Sequence, residues 1–273
     1  MPWLHAVLLG IVQGLTEFLP ISSSGHLIVV PWLFDWNHFE DPGTAKAFDV
    51  ALHLGTLFAV VAYYRRDLNR LICAGALHVV DSNRRSADGR LAWLLFASSV
   101  PAAAVGALLE SWIDGSLGTP VIIAISMVAF GLLLAAADRR EGERSIGEFS
   151  LRDAVLVGAA QVLAFNPGTS RSGITMTASR FLGFSRVATA RLSFLMSVPV
   201  ISGAIAYKLV SLDATVLPEG FVTAIVIGVV SSAVSGWLAV WGLVRLVSMR
   251  GLGVFVVYRI VFGAIVLSLV ALR

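Results

Sequence analysis

Apolar residues run through this chain in stretches long enough to cross a lipid bilayer, which leaves few folds open to it. The stretches lie at about 4–33, 47–64, 91–109, 119–137, 153–182, 192–210, 219–244 and 252–272. A helix needs about 20 apolar residues to span the hydrocarbon core. Backbone in lipid must also satisfy its own hydrogen bonds. Charged residues make up only 14% of the 273, against about 25% in an ordinary soluble domain. So few cannot cover a water-facing surface, and the mean hydropathy of +0.85 points the same way. The expected fold is all-α and polytopic, a single integral membrane domain over residues 1–273.

Six of the stretches read as plain transmembrane helices, and two do not. Segment 4–33 is interrupted by Gln13, Glu17, Pro20, Ser22, Ser23, Ser24, Gly25 and His26, and segment 153–182 by Gln161, Asn166, Pro167, Gly168, Ser170, Arg171, Ser172 and Thr175. Runs of proline, glycine and serine break helices. Irregular backbone at membrane depth survives only when it is buried in protein or lines a wet cavity. Both segments therefore read as re-entrant helical hairpins.

The charges set a topology. Arginines crowd 65–90 (Arg65, Arg66, Arg70, Arg84, Arg85, Arg90) and 138–152 (Arg139, Arg140, Arg144, Arg152), and Arg245 and Arg250 flank the last short loop. By the positive-inside rule these loops are cytoplasmic. Loops 110–118 and 211–218 carry Glu110, Asp114 and Asp213 without a basic residue, and belong outside. Threading the chain satisfies all five loops only if 153–182 enters and returns on one side. By analogy the first hairpin does the same on the outer side. The analogy has a basis in an internal repeat. At an offset of 148, Gly10, Gln13, Leu15, Ser22, Ser24 and Gly25 match Gly158, Gln161, Leu163, Ser170, Ser172 and Gly173. Repeat one covers about 1–137 and repeat two about 153–273, each with one hairpin and three spans. Three being odd, the repeats are inverted, as in many transporters.

The net charge of +3 comes mostly from arginine and sits in loops, so it speaks of membrane lipids rather than nucleic acid. The single Cys73 excludes an internal disulfide. The N-terminus shows neither a basic leader nor a small-residue cleavage site, so it reads as mature. No Walker loop, nucleophile elbow, zinc spacing or dinucleotide fingerprint is present.

Glu17, one helical turn after Gln13, is a carboxylate among apolar residues; such a residue in a membrane segment reads as functional. It suits a general base, a metal ligand or a proton relay. Ser22, Ser23, Ser24, Gly25 and His26 open a helix after Pro20, where hydroxyls and free amides suit an anion. His26 suits proton transfer or activation of a serine. In PGTSRSGIT at 167–175, the fork of Arg171 matches phosphate, with Ser170, Ser172 and Thr175 as further donors. Asp49 and His53, spaced i,i+4, fit a place in the site as well as a seat at headgroup level. Arg259, after Tyr258 in the last span, reads more readily as a snorkelling arginine.

Together, Gln13-xxx-Glu17, the SSSGH run ending at His26, and PGTSRSGIT resemble the bacterial undecaprenyl-diphosphatase family of the bacitracin-resistance type, over essentially the whole chain. That resemblance implies an inner-membrane phosphatase that converts undecaprenyl diphosphate to undecaprenyl phosphate, uses a divalent cation such as Mg²⁺ or Ca²⁺, and opens to the outer side. Position 13 is Gln, which the family allows, so this motif supplies one carboxylate for a metal, Glu17; Asp49 is the candidate for a second. Ser24-Gly25-His26 is also similar to an element of the phosphatidic-acid phosphatases, but their KxxxxxxRP element is missing. The expected catalytic residues are Glu17, Ser23, His26 and Arg171, and the expected substrate-binding residues are Gln13, Ser24, Ser170, Ser172 and Thr175. The nucleophile is Ser23, favoured by its place beside His26, or a water activated by Glu17. A homodimer is compatible with the sequence. The competing readings are a secondary transporter or lipid-phosphate flippase, and a lipid-binding scaffold.

Overall fold

The computed structural model describes residues 1–36, 39, 42–106, 108, 117–211 and 220–273. Glu110, Asp114 and Asp213, on which the outward placement of two loops rests, lie outside the described residues. The described chain is helical: α1 (Trp3–Phe18), α2 (Ser23–Leu33), α3 (Pro42–Tyr63), α4 (Arg65–Val80), α5 (Ala87–Ala97), α6 (Pro120–Asp138), α7 (Leu151–Gln161), α8 (Arg171–Phe181), α9 (Arg186–Ser211), α10 (Phe221–Met249) and α11 (Gly253–Leu272). Helix α5 runs on past a turn at Ser98 and Ser99, and six helices reach spanning length and hydropathy: Gly43–Tyr63, Ala87–Gly106, Pro120–Asp138, Arg186–Lys208, Phe221–Met249 and Gly253–Leu272. These match the six plain stretches of the sequence.

The two interrupted stretches fold as pairs of short helices. Helices α2, α7 and α8 have 11 residues each, about 16 Å at 1.5 Å per residue and roughly half of a hydrocarbon core. Each pair is broken at the polar turn expected from its proline. The two turns share one geometry. Ser22 and Ser170, related by the offset of 148, are the N-caps of α2 and α8, and both have φ of 74°. This left-handed region is uncommon for residues with a Cβ. Each cap hydroxyl accepts from the amide three residues on, Gly25 at 3.3 Å and Gly173 at 3.1 Å.

Close packing between helices explains the glycines. Lipid tails are as apolar as side chains, so association in a membrane relies on backbone approach at small residues. A Cβ on Gly10 would lie 2.4 Å from Gly228 O, one on Gly14 1.9 Å from Ser235 Oγ, and one on Gly55 2.3 Å from Val229 O. Helices α1 and α3 are thereby pressed onto α10. Ser232 Oγ donates to Leu52 O at 2.8 Å across the same contact. The largest apolar cluster gathers Phe18, Leu134, Met176, Leu192, Phe194 and Val240 around the hairpins.

Two charged joints close the far end of the second hairpin. Arg144 forms a fork with Asp153, at 3.2 and 2.7 Å, and its Nη1 also donates to Leu182 O, so the start of α7 is tied to the end of α8. Asp138 at the end of α6 accepts from Arg186 Nε at 2.7 Å and from Leu252 N–H at 2.9 Å.

The segment 65–90 is more ordered than a basic loop. Arg65–Val80 forms helix α4, with Leu71 and Gly75 buried, and it packs on α5, where Trp93 Nε1 donates to Gly75 O at 3.0 Å. Its arginines occupy one face only, so the charge that marks the loop does not prevent a helix.

Candidate active site

The two hairpins meet tip to tip. Gly168 N–H donates to Ser22 Oγ at 3.0 Å, and Ser172 Oγ donates to Leu19 O at 2.9 Å. The starts of α2 and α8 therefore flank one seam, and a helix start offers free amides and the positive end of its dipole.

Arg259 stitches the seam from behind. Its side chain is fully buried. Nε donates to Met127 O at 3.0 Å, Nη1 to Pro20 O and Thr169 O at 3.1 and 3.0 Å, and Nη2 to Gly168 O at 2.7 Å. Breaking two helices inside a membrane leaves carbonyls without intrahelical donors, and one guanidinium supplies donors to both turns. Arg259 does not snorkel. Its position near the start of a span suggested that it would, and the carbonyls that hold it come from segments remote in sequence.

Glu17 is the centre of the seam and is 6% exposed. Its Oε2 accepts from Ser23 Oγ at 2.6 Å and from Gln13 Nε2 at 3.1 Å, and its Oε1 accepts from Arg171 Nη2 at 3.2 Å. His53 Nε2 on α3 lies 3.5 Å from Oε2. Arg171 is itself held, since Nη1 donates to Ser193 O at 3.1 Å. Thr175 supports that contact from below: its hydroxyl lies 2.8 Å from Ser193 Oγ and 2.9 Å from Arg171 O. Ser170 Oγ and Ser172 Oγ are 3.1 Å apart, and Ser22 Oγ and Ser24 Oγ 3.4 Å. Ser193 carried no sequence signal beyond being one hydroxyl within an apolar span.

His26 faces away from this group. Its Nδ1 is 2.6 Å from Ser22 O, an acceptor only, so Nδ1 carries the proton; Nε2 is 2.7 Å from Tyr258 OH. The ring lies against Phe262, with centroids 4.5 Å apart. Among the described residues no hydrogen bond joins His26 to Ser23. The group beside Ser23 is Glu17.

Among the described residues no cluster of three His, Cys, Asp or Glu side chains could hold a metal. Asp49 meets His53 through its backbone carbonyl, which accepts from Nδ1 at 2.8 Å. One further observation bears on a cation: Gln13 Oε1, buried beside Glu17, has no hydrogen-bond partner. Mg²⁺ commonly takes one or two protein oxygens and leaves the rest of its shell to phosphates and water. Glu17 and Gln13 Oε1 fit that role.

Fold and site define a polytopic α-helical membrane protein whose chemistry is an arginine, a carboxylate and hydroxyls gathered between two broken-helix hairpins. The chain belongs to the family described as bacitracin resistance protein BacA, whose profile matches residues 6–265. It is 47% identical over 97% of both chains to a Geobacter metallireducens protein named undecaprenyl-diphosphatase. Proteins of the same name from Desulforudis audaxviator and Geobacter sulfurreducens are 44% and 46% identical, each over 98% of both chains.

Proposed function

We propose that this chain hydrolyses undecaprenyl diphosphate to undecaprenyl phosphate and inorganic phosphate, the activity for which its relatives are named. The observation that carries the reading is the Glu17–Arg171 pair with Ser23 hydrogen-bonded to it, set between two helix starts. An anion-binding fork, a base and a hydroxyl on one seam are what phosphoryl transfer needs from a protein.

The residues divide the work as follows. Arg171, held by Ser193, binds the diphosphate oxygens with the amides of α2 and α8 around it. The buried hydroxyls of Ser170 and Ser172, expected in the sequence to bind substrate, are engaged with each other, with Gly173 N–H and with Leu19 O, and brace the seam instead. Ser23 Oγ attacks the terminal phosphorus while its proton passes to Glu17, 2.6 Å away. The bridging P–O bond breaks and the lipid phosphate leaves. Water then attacks the phosphoserine, releasing inorganic phosphate and returning a proton to Ser23. His26, the candidate acid or base, is given a supporting part here: with both nitrogens engaged, it fixes the turn that presents Ser23. A divalent cation held by Glu17 and Gln13 Oε1 would neutralise charge on the diphosphate. Gln13 also orients Glu17, and Ser24 lines the start of α2.

The proposal extends to placement. The chain sits in the bacterial inner membrane as two inverted repeats, about 1–137 and 153–273, with the seam opening on the outer side. Support comes from the arginine-rich loops and from the shared cap geometry of Ser22 and Ser170. A flippase would need the seam to open alternately to both sides. Phosphate release from undecaprenyl diphosphate by the purified protein tests the reading. Counterflow of lipid phosphate without release would replace it by the transporter.

A further inference from the structure

We propose that His53 is a further substrate-contacting residue: its Nε2 faces the Glu17 carboxylate from α3 and binds the diphosphate from the side opposite Arg171. The proposal deepens the phosphatase reading and rests on it.

Four elements converge on Glu17. Gln13 comes from α1, Ser23 from α2, Arg171 from α8 and His53 from α3. The ring of His53 is not free to turn. Nδ1 lies 2.8 Å from Asp49 O, which can only accept, so Nδ1 is the donor there. Nε2 is thereby the nitrogen that faces the site, 3.5 Å from Oε2. The height of His53 on the helix is fixed as well. Two residues on, Gly55 lies so close to α10 that a Cβ there would stand 2.3 Å from Val229 O. One residue before, Leu52 O accepts from Ser232.

Access distinguishes His53 from its neighbours. Its side chain is 28% exposed, against 12% for Arg171 and 5% for Glu17. It is the most exposed of the three nitrogen-bearing side chains around the carboxylate, and an incoming headgroup would meet it before Arg171 or Gln13. Charge points the same way. Glu17 offsets Arg171 in the resting site, and a diphosphate brings several negative charges at once. With Nδ1 donating to Asp49 O, Nε2 donates to a phosphate oxygen in the doubly protonated ring, and that form gives the far phosphate a charged partner that Arg171 alone does not supply. A histidine merely seated at headgroup level would have no reason to aim Nε2 at a buried carboxylate.

The test compares wild type with His53→Gln, His53→Asn and His53→Leu in steady-state hydrolysis of undecaprenyl diphosphate, each purified and checked for thermal unfolding. Gln places a nitrogen donor where Nε2 stands. Asn places one where Nδ1 stands, keeping the helix contact but not reaching the site. A hydrogen bond to a charged group corresponds to roughly a 10- to 100-fold effect. The expected result is a rise in KM, and a fall in kcat/KM of that size, for Asn and Leu, with Gln within about fivefold of wild type. Asn matching Gln, or Leu matching wild type, would overturn the proposal, because His53 would then act only within its helix. A folded wild type that releases no phosphate would overturn the phosphatase reading itself, a result distinct from an active wild type indifferent to position 53.

Discussion

Glu17 and Arg171 face each other across the seam between the two hairpins, Nη2 3.2 Å from Oε1, although 154 positions separate them in the chain. The contact joins the two hairpins at their polar turns. Each side chain is mostly shielded from water.

Removing either partner leaves the other uncompensated, and also deprives the substrate of a contact. Glu17→Ala and Arg171→Ala are each expected to lower kcat/KM by at least about 100-fold, the size found for loss of one transition-state donor. Arg171→Lys keeps the charge but loses the fork to Ser193 O, and should recover only a small part. Phosphate release by detergent-purified variants reads this, with size exclusion showing that the protein remains folded. Near-normal turnover in any of the three would remove the pair from the chemistry.

Ser23 is the nucleophile in the proposed mechanism. Ser23→Ala should then lose more than about 1000-fold in kcat, and acid quenching of wild type during turnover should leave phosphate on Ser23. An alanine variant within tenfold of wild type would assign the attack to water activated by Glu17.

Arg259 serves carbonyls of both turns, so its replacement acts on stability as well as on activity. Each orphaned buried carbonyl costs about 1–3 kcal/mol. Arg259→Met is expected to lose at least ~3 kcal/mol and to melt well below wild type in detergent. Melting unchanged from wild type would mean that the turns hold without it.

The α1–α10 contact gives a packing test. Gly14→Leu places a side chain where Ser235 Oγ already stands within 1.9 Å of a Cβ. Overpacking costs typically ~1–3 kcal/mol, and here the backbones themselves must separate. Gly203→Ala, with nothing within 4 Å of its added Cβ, is the control and should melt like wild type. Equal melting of the two would contradict the close approach.

Much of this architecture was legible in the sequence because two periodic signals are strong. Length and hydropathy marked the six spans, and Pro20 and Pro167 marked where the other two stretches break. The offset between Ser22 and Ser170 pointed to like turns before either geometry was known, and both are N-caps with the same φ. Helix α4 was missed because arginine density signals a loop, while its buried face, Leu71 and Gly75, is narrow. Arg259, read as a snorkelling residue, and Ser193, which was missed, were misjudged for another reason. Their partners are backbone carbonyls and hydroxyls far away in sequence, and no spacing rule encodes such contacts. His26 is the opposite case. Its place one turn from Ser23 in sequence suggested a pair, yet the ring is held by Ser22 O on one nitrogen and Tyr258 OH on the other, and a tertiary partner 232 positions away is not encoded in the local spacing.

The most direct test of the account is phosphate release from undecaprenyl diphosphate by the purified protein in lipid, run with Mg²⁺, with Ca²⁺ and with EDTA, beside Glu17→Ala. The expected result is cation-dependent release by wild type, abolished by EDTA and lost in the variant. No release from folded wild type, or release equal in the variant, would contradict it.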